Sequence, residues 1–114
     1  MKFSKSLKKN FKFREVYKNG IYFANKYLVV YITVNNTENN FLGITVSKKV
    51  GNSVVRHRIT RLIRESYRLH EMMFNNGLNI VVVARASACS ASYKEIEKAL
   101  LHLMKLHGVI INHK

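Results

Sequence analysis

Apolar residues recur along the chain in two rhythms, one of about 3.6 residues and one of 2, and the changes of rhythm divide it into short alternating elements. Phe13, Val16 and Tyr17 stand at helical spacing and Asn19-Gly20 supplies a stop, which predicts a helix over residues 10–18. From 22 to 34 the rhythm is two. Leu28, Val30, Ile32 and Val34 fall on one face, with Tyr27, Val29, Tyr31 and Thr33 on the other, so one long strand is predicted. The Asn-rich segment 35–40 reads as a turn. The β-branched residues of 41–47 read as a second strand, folded back on the first in an antiparallel hairpin.

Gly51-Asn52-Ser53 gives a turn and a helix cap. Between 54 and 73, Val55, Ile59, Leu62, Ile63 and Leu69 mark the buried stripe of an amphipathic helix. After Asn75-Asn76-Gly77, the nearly unbroken apolar run 78–84 suits a central strand buried on both faces. Ser92 and Glu95 are spaced as a capping box, and Ile96, Ala99, Leu100, Leu103 and Met104 carry a last helix to about 107. Residues 1–9 keep returning to Lys and read as a flexible basic arm. The order α-β-β-(β)-α-β-α predicts an α+β fold, a single sheet packed with helices, and 114 residues make one domain.

Charge changes this picture most. Twenty Lys and Arg face six acids, a formal net charge of +14, while 47% hydrophobic content is ample for a core. Such self-repulsion in a folded protein points to a polyanionic partner: nucleic acid, an anionic membrane or an acidic protein. Residues 1–12 return too often to Lys and Asn to be a secretory signal, and the apolar run 80–84 is far too short to span a bilayer. Cys89 is the only cysteine, so no intramolecular disulfide is expected and a reducing, cytoplasmic setting is the simplest reading.

On a wheel centred at Val55, His57, Arg61, Arg64 and Arg68 lie opposite the apolar stripe and Arg56 and Arg58 flank its borders. Lys48, Lys49, Arg56 and Arg58 crowd the helix N-terminus, where each positive charge costs about 0.3–1 kcal/mol against the helix dipole. A bound phosphate reverses that sign. Phe13 and Tyr17 lie one turn apart, Tyr27 and Tyr31 share a strand face, and Lys12, Lys18 and Lys26 are interleaved with them. Aromatic faces in a basic trough stack on the unpaired bases of a single strand.

Catalytic constellations are missing. All six acids are Glu, with no cluster for two-metal chemistry, and His57, His70, His102, His107 and His113 are scattered without triad or zinc spacing. These residues alone predict a protein that grips nucleic acid without performing chemistry. A non-catalytic RNA-binding subunit, a structural RNA-binding protein of the ribosomal kind and a basic nuclease all remain open.

The run Ser47-Lys48-Lys49-Val50-Gly51-Asn52-Ser53-Val54-Val55-Arg56-His57-Arg58-Ile59-Thr60-Arg61-Leu62-Ile63-Arg64-Glu65 resembles the signature of the bacterial ribonuclease P protein family. Leu7-Lys8-Lys9-Asn10, Phe13 and Tyr17 before Asn19-Gly20, Ala24-Asn25-Lys26, residues 80–85 and Tyr93 extend the resemblance over nearly the whole chain. It implies a basic partner of a catalytic RNA, in a cytoplasmic complex that removes the 5′ leader of precursor tRNA. The hydrolysis would be done by that RNA with Mg²⁺, with no catalytic residue, bound metal or cofactor in the protein.

The resemblance also implies residue roles. Lys48, Lys49, Asn52, Arg56, His57, Arg58, Arg61, Arg64 and Arg68 would contact the catalytic RNA and its phosphates, while Phe13, Tyr17, Tyr27 and Tyr31 would line a cleft for the leader. His57 stands where the family usually has Asn, and Thr60 where it usually has Lys. A left-handed β-α-β crossover around the arginine-bearing helix is implied as well, against the general right-handed rule. Catalytic RNA and precursor tRNA would be the partners, with no membrane and no obligate protein partner.

Overall fold

Strand Leu78–Ala84 shows six of its seven residues buried, which only a strand covered on both faces and flanked on both sides achieves. In the computed structural model, which describes residues 4–111, it is the middle of a five-stranded mixed sheet. The elements run β1 (Ser4–Ser6), α1 (Asn10–Asn19), β2 (Ile21–Ala24), β3 (Leu28–Val34), β4 (Asn40–Thr45), α2 (Ser53–His70), β5 (Leu78–Ala84) and α3 (Tyr93–Leu106). Short 3₁₀ turns at Glu71–Met73 and Ala86–Ser90 lead into and out of β5. The sheet order is β1-β4-β5-β3-β2, an α+β fold with the expected helix order.

Three expectations are corrected. The predicted antiparallel hairpin of 22–34 with 41–47 does not form, because β5 lies between β3 and β4: it pairs antiparallel with β3 and parallel with β4. The parallel pair needs a crossover, which α2 supplies. The single strand expected over 22–34 is two, β2 and β3, paired antiparallel. Asn25 breaks it, since its Oδ1 accepts from the Tyr27 and Leu28 amides at 3.3 and 3.0 Å while its Nδ2 donates to Ala99 O at 2.9 Å. Finally, Ser4–Ser6, read as part of a flexible arm, pair parallel with β4, and the buried Leu7 donates its N–H to Leu42 O at 2.8 Å. Residues 1–3 of that arm lie outside the described residues.

The alternation of the strands divides the core in two. Leu28, Val30, Ile32, Ile80 and Val82 pack under α2 and α3, against Ile59, Ile63, Leu100, Leu103 and Met104. On the other face, Leu7, Val16 and Val81 form a small cluster under α1. The stripe of α2 turns slightly from the expected one: Ser66 and Tyr67 are buried, whereas Leu69 is 54% exposed. The helix ends at His70, three residues short of the predicted end, where the 3₁₀ turn takes over. The capping box of α3 is present, with Ser92 Oγ accepting from the Glu95 amide and Glu95 Oε1 from the Ser92 amide. At the far end of α3, burial holds the His107 imidazole below its ordinary pKa, and its Nε2–H donates to Val30 O at 2.8 Å.

The consequence for function lies in the coverage of the second face. Val16 is the one fully buried side chain of α1, so this helix seals only the centre of the sheet. Val29, Tyr31, Thr45 and Val83 stay partly open beside it.

Candidate nucleic-acid interface

Tyr17 and Phe13 project from α1 over this open floor. The Phe13 ring lies on Gly43 of β4, where an added Cβ would stand 2.5 Å from its Cζ, so the close approach needs glycine. Phe13 and Tyr17 have ring centroids 6.4 Å apart, and Tyr17 meets Tyr31 edge-on at 4.9 Å. The Tyr17 hydroxyl is fixed by Thr45 Oγ1 at 3.0 Å, which ties α1 to the end of β4. Tyr22 completes the row: it sits opposite Tyr31 in the β2–β3 register, with centroids 5.2 Å apart and 60% of its surface exposed. Sequence reasoning missed Tyr22 because it assigned β2 and β3 to one strand; read as a hairpin about Asn25, the same residues pair the two tyrosines.

Tyr27 does not join this row. Its ring packs against the core under α2 and α3, and its hydroxyl donates to Glu95 Oε2. That bond, with the Ser92 amide, draws the Glu95 carboxyl below its usual pKa. The expectation that Tyr27 and Tyr31 share a face fails because the turn at Asn25 interrupts the alternation just before β3 begins.

At its far end the trough floor runs into the charged segment. Thr45 closes β4, exposed Lys48 and Lys49 follow, and buried Val50 anchors the loop that delivers Asn52 to α2. Asn52 Oδ1 accepts from the Val55 amide at 3.0 Å, so this residue caps the helix. The first turn of α2 contains no acid, whereas α3 carries Glu95 in its first turn. A positive helix end with a neutral cap and no carboxylate is complementary to an anion from outside.

The cations of α2 divide by what they touch. Arg58 Nη2 donates to Ala91 O at 2.6 Å, which fixes its guanidinium at the loop before α3. Arg56 is half-buried, with Nη2 3.4 Å from Ser53 Oγ and a buried Nε that has no hydrogen-bond partner among the described residues. Thr60 donates back to Arg56 O at 2.8 Å within the helix. Arg68 makes a two-point ion pair with Glu65 at 2.6 and 3.1 Å, which lowers the Glu65 pKa. Lys48, Lys49, His57, Arg61 and Arg64 are exposed, and none forms a hydrogen bond or ion pair among the described residues. The charges of the two lysines and two arginines are therefore uncompensated among the described residues. Arg85, just beyond β5, donates to Asn25 O at 2.7 Å; the sequence reading did not assign it a role.

Among the described residues, no three of His, Cys, Asp and Glu gather as metal ligands, and no helix is long and apolar enough to cross a membrane. Cys89 is exposed. An aromatic trough on one face of the sheet thus leads, through a lysine loop, to a helix with free guanidinium groups.

The family model for ribonuclease P matches residues 1–107. The chain belongs to the ribonuclease P protein family. It is 62% identical over 107 residues to the ribonuclease P protein component of Lachnoclostridium phytofermentans, covering 94% of this chain and 92% of that one. The corresponding protein of Clostridioides difficile is 48% identical and covers 95% of this chain and 96% of its own. Among solved structures, the Staphylococcus aureus RNase P protein superposes with a TM-score of 0.87 at 37% identity, over 95% of this chain and 99% of that one. The Thermotoga maritima RNase P protein gives 0.82 at 26% identity, over 96% and 99%. The chain is accordingly a subunit of ribonuclease P, the ribonucleoprotein endoribonuclease of tRNA processing, and associates with its RNA.

Proposed function

We propose that this subunit holds two RNAs at once, the catalytic RNA on the exposed face of α2 and the single-stranded 5′ leader of precursor tRNA in the trough. The observation that carries this reading is the pairing of two unlike surfaces across the loop 47–52. The trough offers stacking faces at Phe13, Tyr17, Tyr31 and Tyr22 over an open sheet floor, which suits unpaired bases and not a duplex. The helix offers Arg61, Arg64 and His57 without acidic partners, which suits a folded phosphate backbone. Lys48, Lys49 and the open N-terminus of α2 lie between them, where the two RNAs would meet.

In this reading the protein positions and screens, and the catalytic RNA, with Mg²⁺, cleaves in the cytoplasm. Among the described residues no three of His, Cys, Asp and Glu gather as metal ligands, and at least half of the six acids already have partners. Glu65, Glu95 and Glu97 are each engaged, by Arg68, by Tyr27 with the Ser92 amide, and by His70 with Tyr93. The chain's own contribution is to stack leader bases and to neutralise phosphates where two polyanions are brought together.

Cleavage of precursor tRNA at low Mg²⁺ by the chain, by the catalytic RNA and by both tests this. The chain alone is expected to leave the precursor intact, and the pair to cleave far faster than the RNA alone. Cleavage by the chain alone, or no gain on adding it to the RNA, contradicts the proposal.

A further inference from the structure

Helix α1 is a ridge with two sides. Phe13 and Tyr17 face the trough, whereas Phe11, about 200° around the helix from Phe13, faces away. There it borders a hollow of about 410 Å³ whose floor is made by Leu7 and Phe41. Phe11 is 56% exposed, and the ammonium groups of Lys9 and Lys12 stand 5.7 and 5.5 Å from its ring centre. Two cations are thereby held beside a flat aromatic face.

A second feature points to the occupant. Asn79, at the start of β5, lines the same hollow while only 7% exposed. Its Oδ1 accepts from Asn35 Nδ2 at 3.1 Å, and Asn35 is in turn held by the Thr37 amide and hydroxyl at 2.9 and 2.7 Å. The Asn79 amide nitrogen forms no hydrogen bond among the described residues, so a donor whose orientation is set by the Asn35 contact is left over at the wall of the hollow. Ligand pockets are mostly apolar with a few placed polar groups, and an oriented, unused donor on such a wall marks a place for an acceptor.

We propose that this hollow is a second nucleotide site, which takes one unpaired RNA nucleotide on the side of α1 away from the trough. The base stacks on Phe11 over the apolar floor, a carbonyl oxygen of the base accepts from the Asn79 amide, and the phosphate lies between Lys9 and Lys12. The site rests on the proposed reading only in requiring RNA as the ligand. The nucleotide comes either from the leader, continued around the helix, or from an unpaired position of the catalytic RNA.

Two binding measurements with the full chain separate the sources: affinity for the catalytic RNA alone, and affinity of the assembled complex for leader-bearing precursor tRNA. Phe11→Ala and Phe11→Leu are expected to weaken one of them about fivefold or more, with Phe11→Tyr close to the parent, because stacking needs the ring. Loss with precursor assigns the leader, and loss with catalytic RNA assigns that molecule. Parent affinity in both measurements for Phe11→Leu overturns the site, and so does equal weakening by Leu and Tyr. Tyr31→Ala measured alongside keeps the two proposals apart. Its loss of precursor binding with no effect of Phe11→Leu rejects this site and leaves the trough standing. The reverse result supports this site and rejects the trough.

Discussion

Tyr31→Ala is expected to lower the affinity of the assembled complex for leader-bearing precursor tRNA by about five- to a hundredfold while leaving mature tRNA unchanged. Tyr31 is the hinge of the aromatic row, in contact with Tyr17 at 4.9 Å and Tyr22 at 5.2 Å. Its removal takes away one stacking face and loosens two others, and a stacked base is worth about 1–3 kcal/mol. The Tyr31 hydroxyl has no hydrogen bond among the described residues, so Tyr31→Phe should retain the parent affinity. Filter binding of precursor with and without its leader checks this, and unchanged affinity for the catalytic RNA shows that the variant is folded. Equal loss for precursor and mature tRNA would remove the leader from the trough.

The second large effect belongs to α2. Arg61 and Arg64 are exposed and free of acidic partners, so each is available to replace a counterion on RNA. Each phosphate contact contributes roughly 0.7–0.9 to the slope of log affinity against log salt. Arg61→Ala with Arg64→Ala should therefore flatten that slope for the catalytic RNA by about two at most. Over a fourfold rise in salt, the parent then loses about tenfold more affinity than the double variant. Replacing both by Lys keeps the charge and should keep most of the slope, while giving up the planar fork. A slope unchanged by the double alanine variant would mean that this face meets only water.

How far these surfaces could be read from the sequence depends on the distance over which each is encoded. The α2 cations were legible because helical periodicity is local, and an apolar stripe at Ile59 and Ile63 fixes the opposite face. The capping box at Ser92 and Glu95 was legible for the same reason. Strand order was not, since alternation marks a strand without naming its neighbour. The insertion of β5 between β3 and β4 follows from the burial of 78–84 on both faces, a property of the whole sheet.

Within the site, Phe13, Tyr17 and Tyr31 converge as expected, and Tyr27 departs because one Asn side chain captures the backbone two and three residues on. β1 left no signal, as Ser4–Ser6 is too short and polar to show a pattern and is recruited by the edge of β4. Asn79 gave none either, because it reads as one polar residue in an apolar strand until the fold brings Asn35 beside it.

Two-point photocrosslinking tests the division of labour most directly. A benzophenone side chain placed at position 31 or 61 of the chain, in a complex with both the catalytic RNA and precursor tRNA, reports which RNA each surface touches. The account predicts that position 31 labels leader nucleotides and position 61 labels the catalytic RNA. Labelling of the same RNA from both positions, or of the mature tRNA body from position 31, would contradict it.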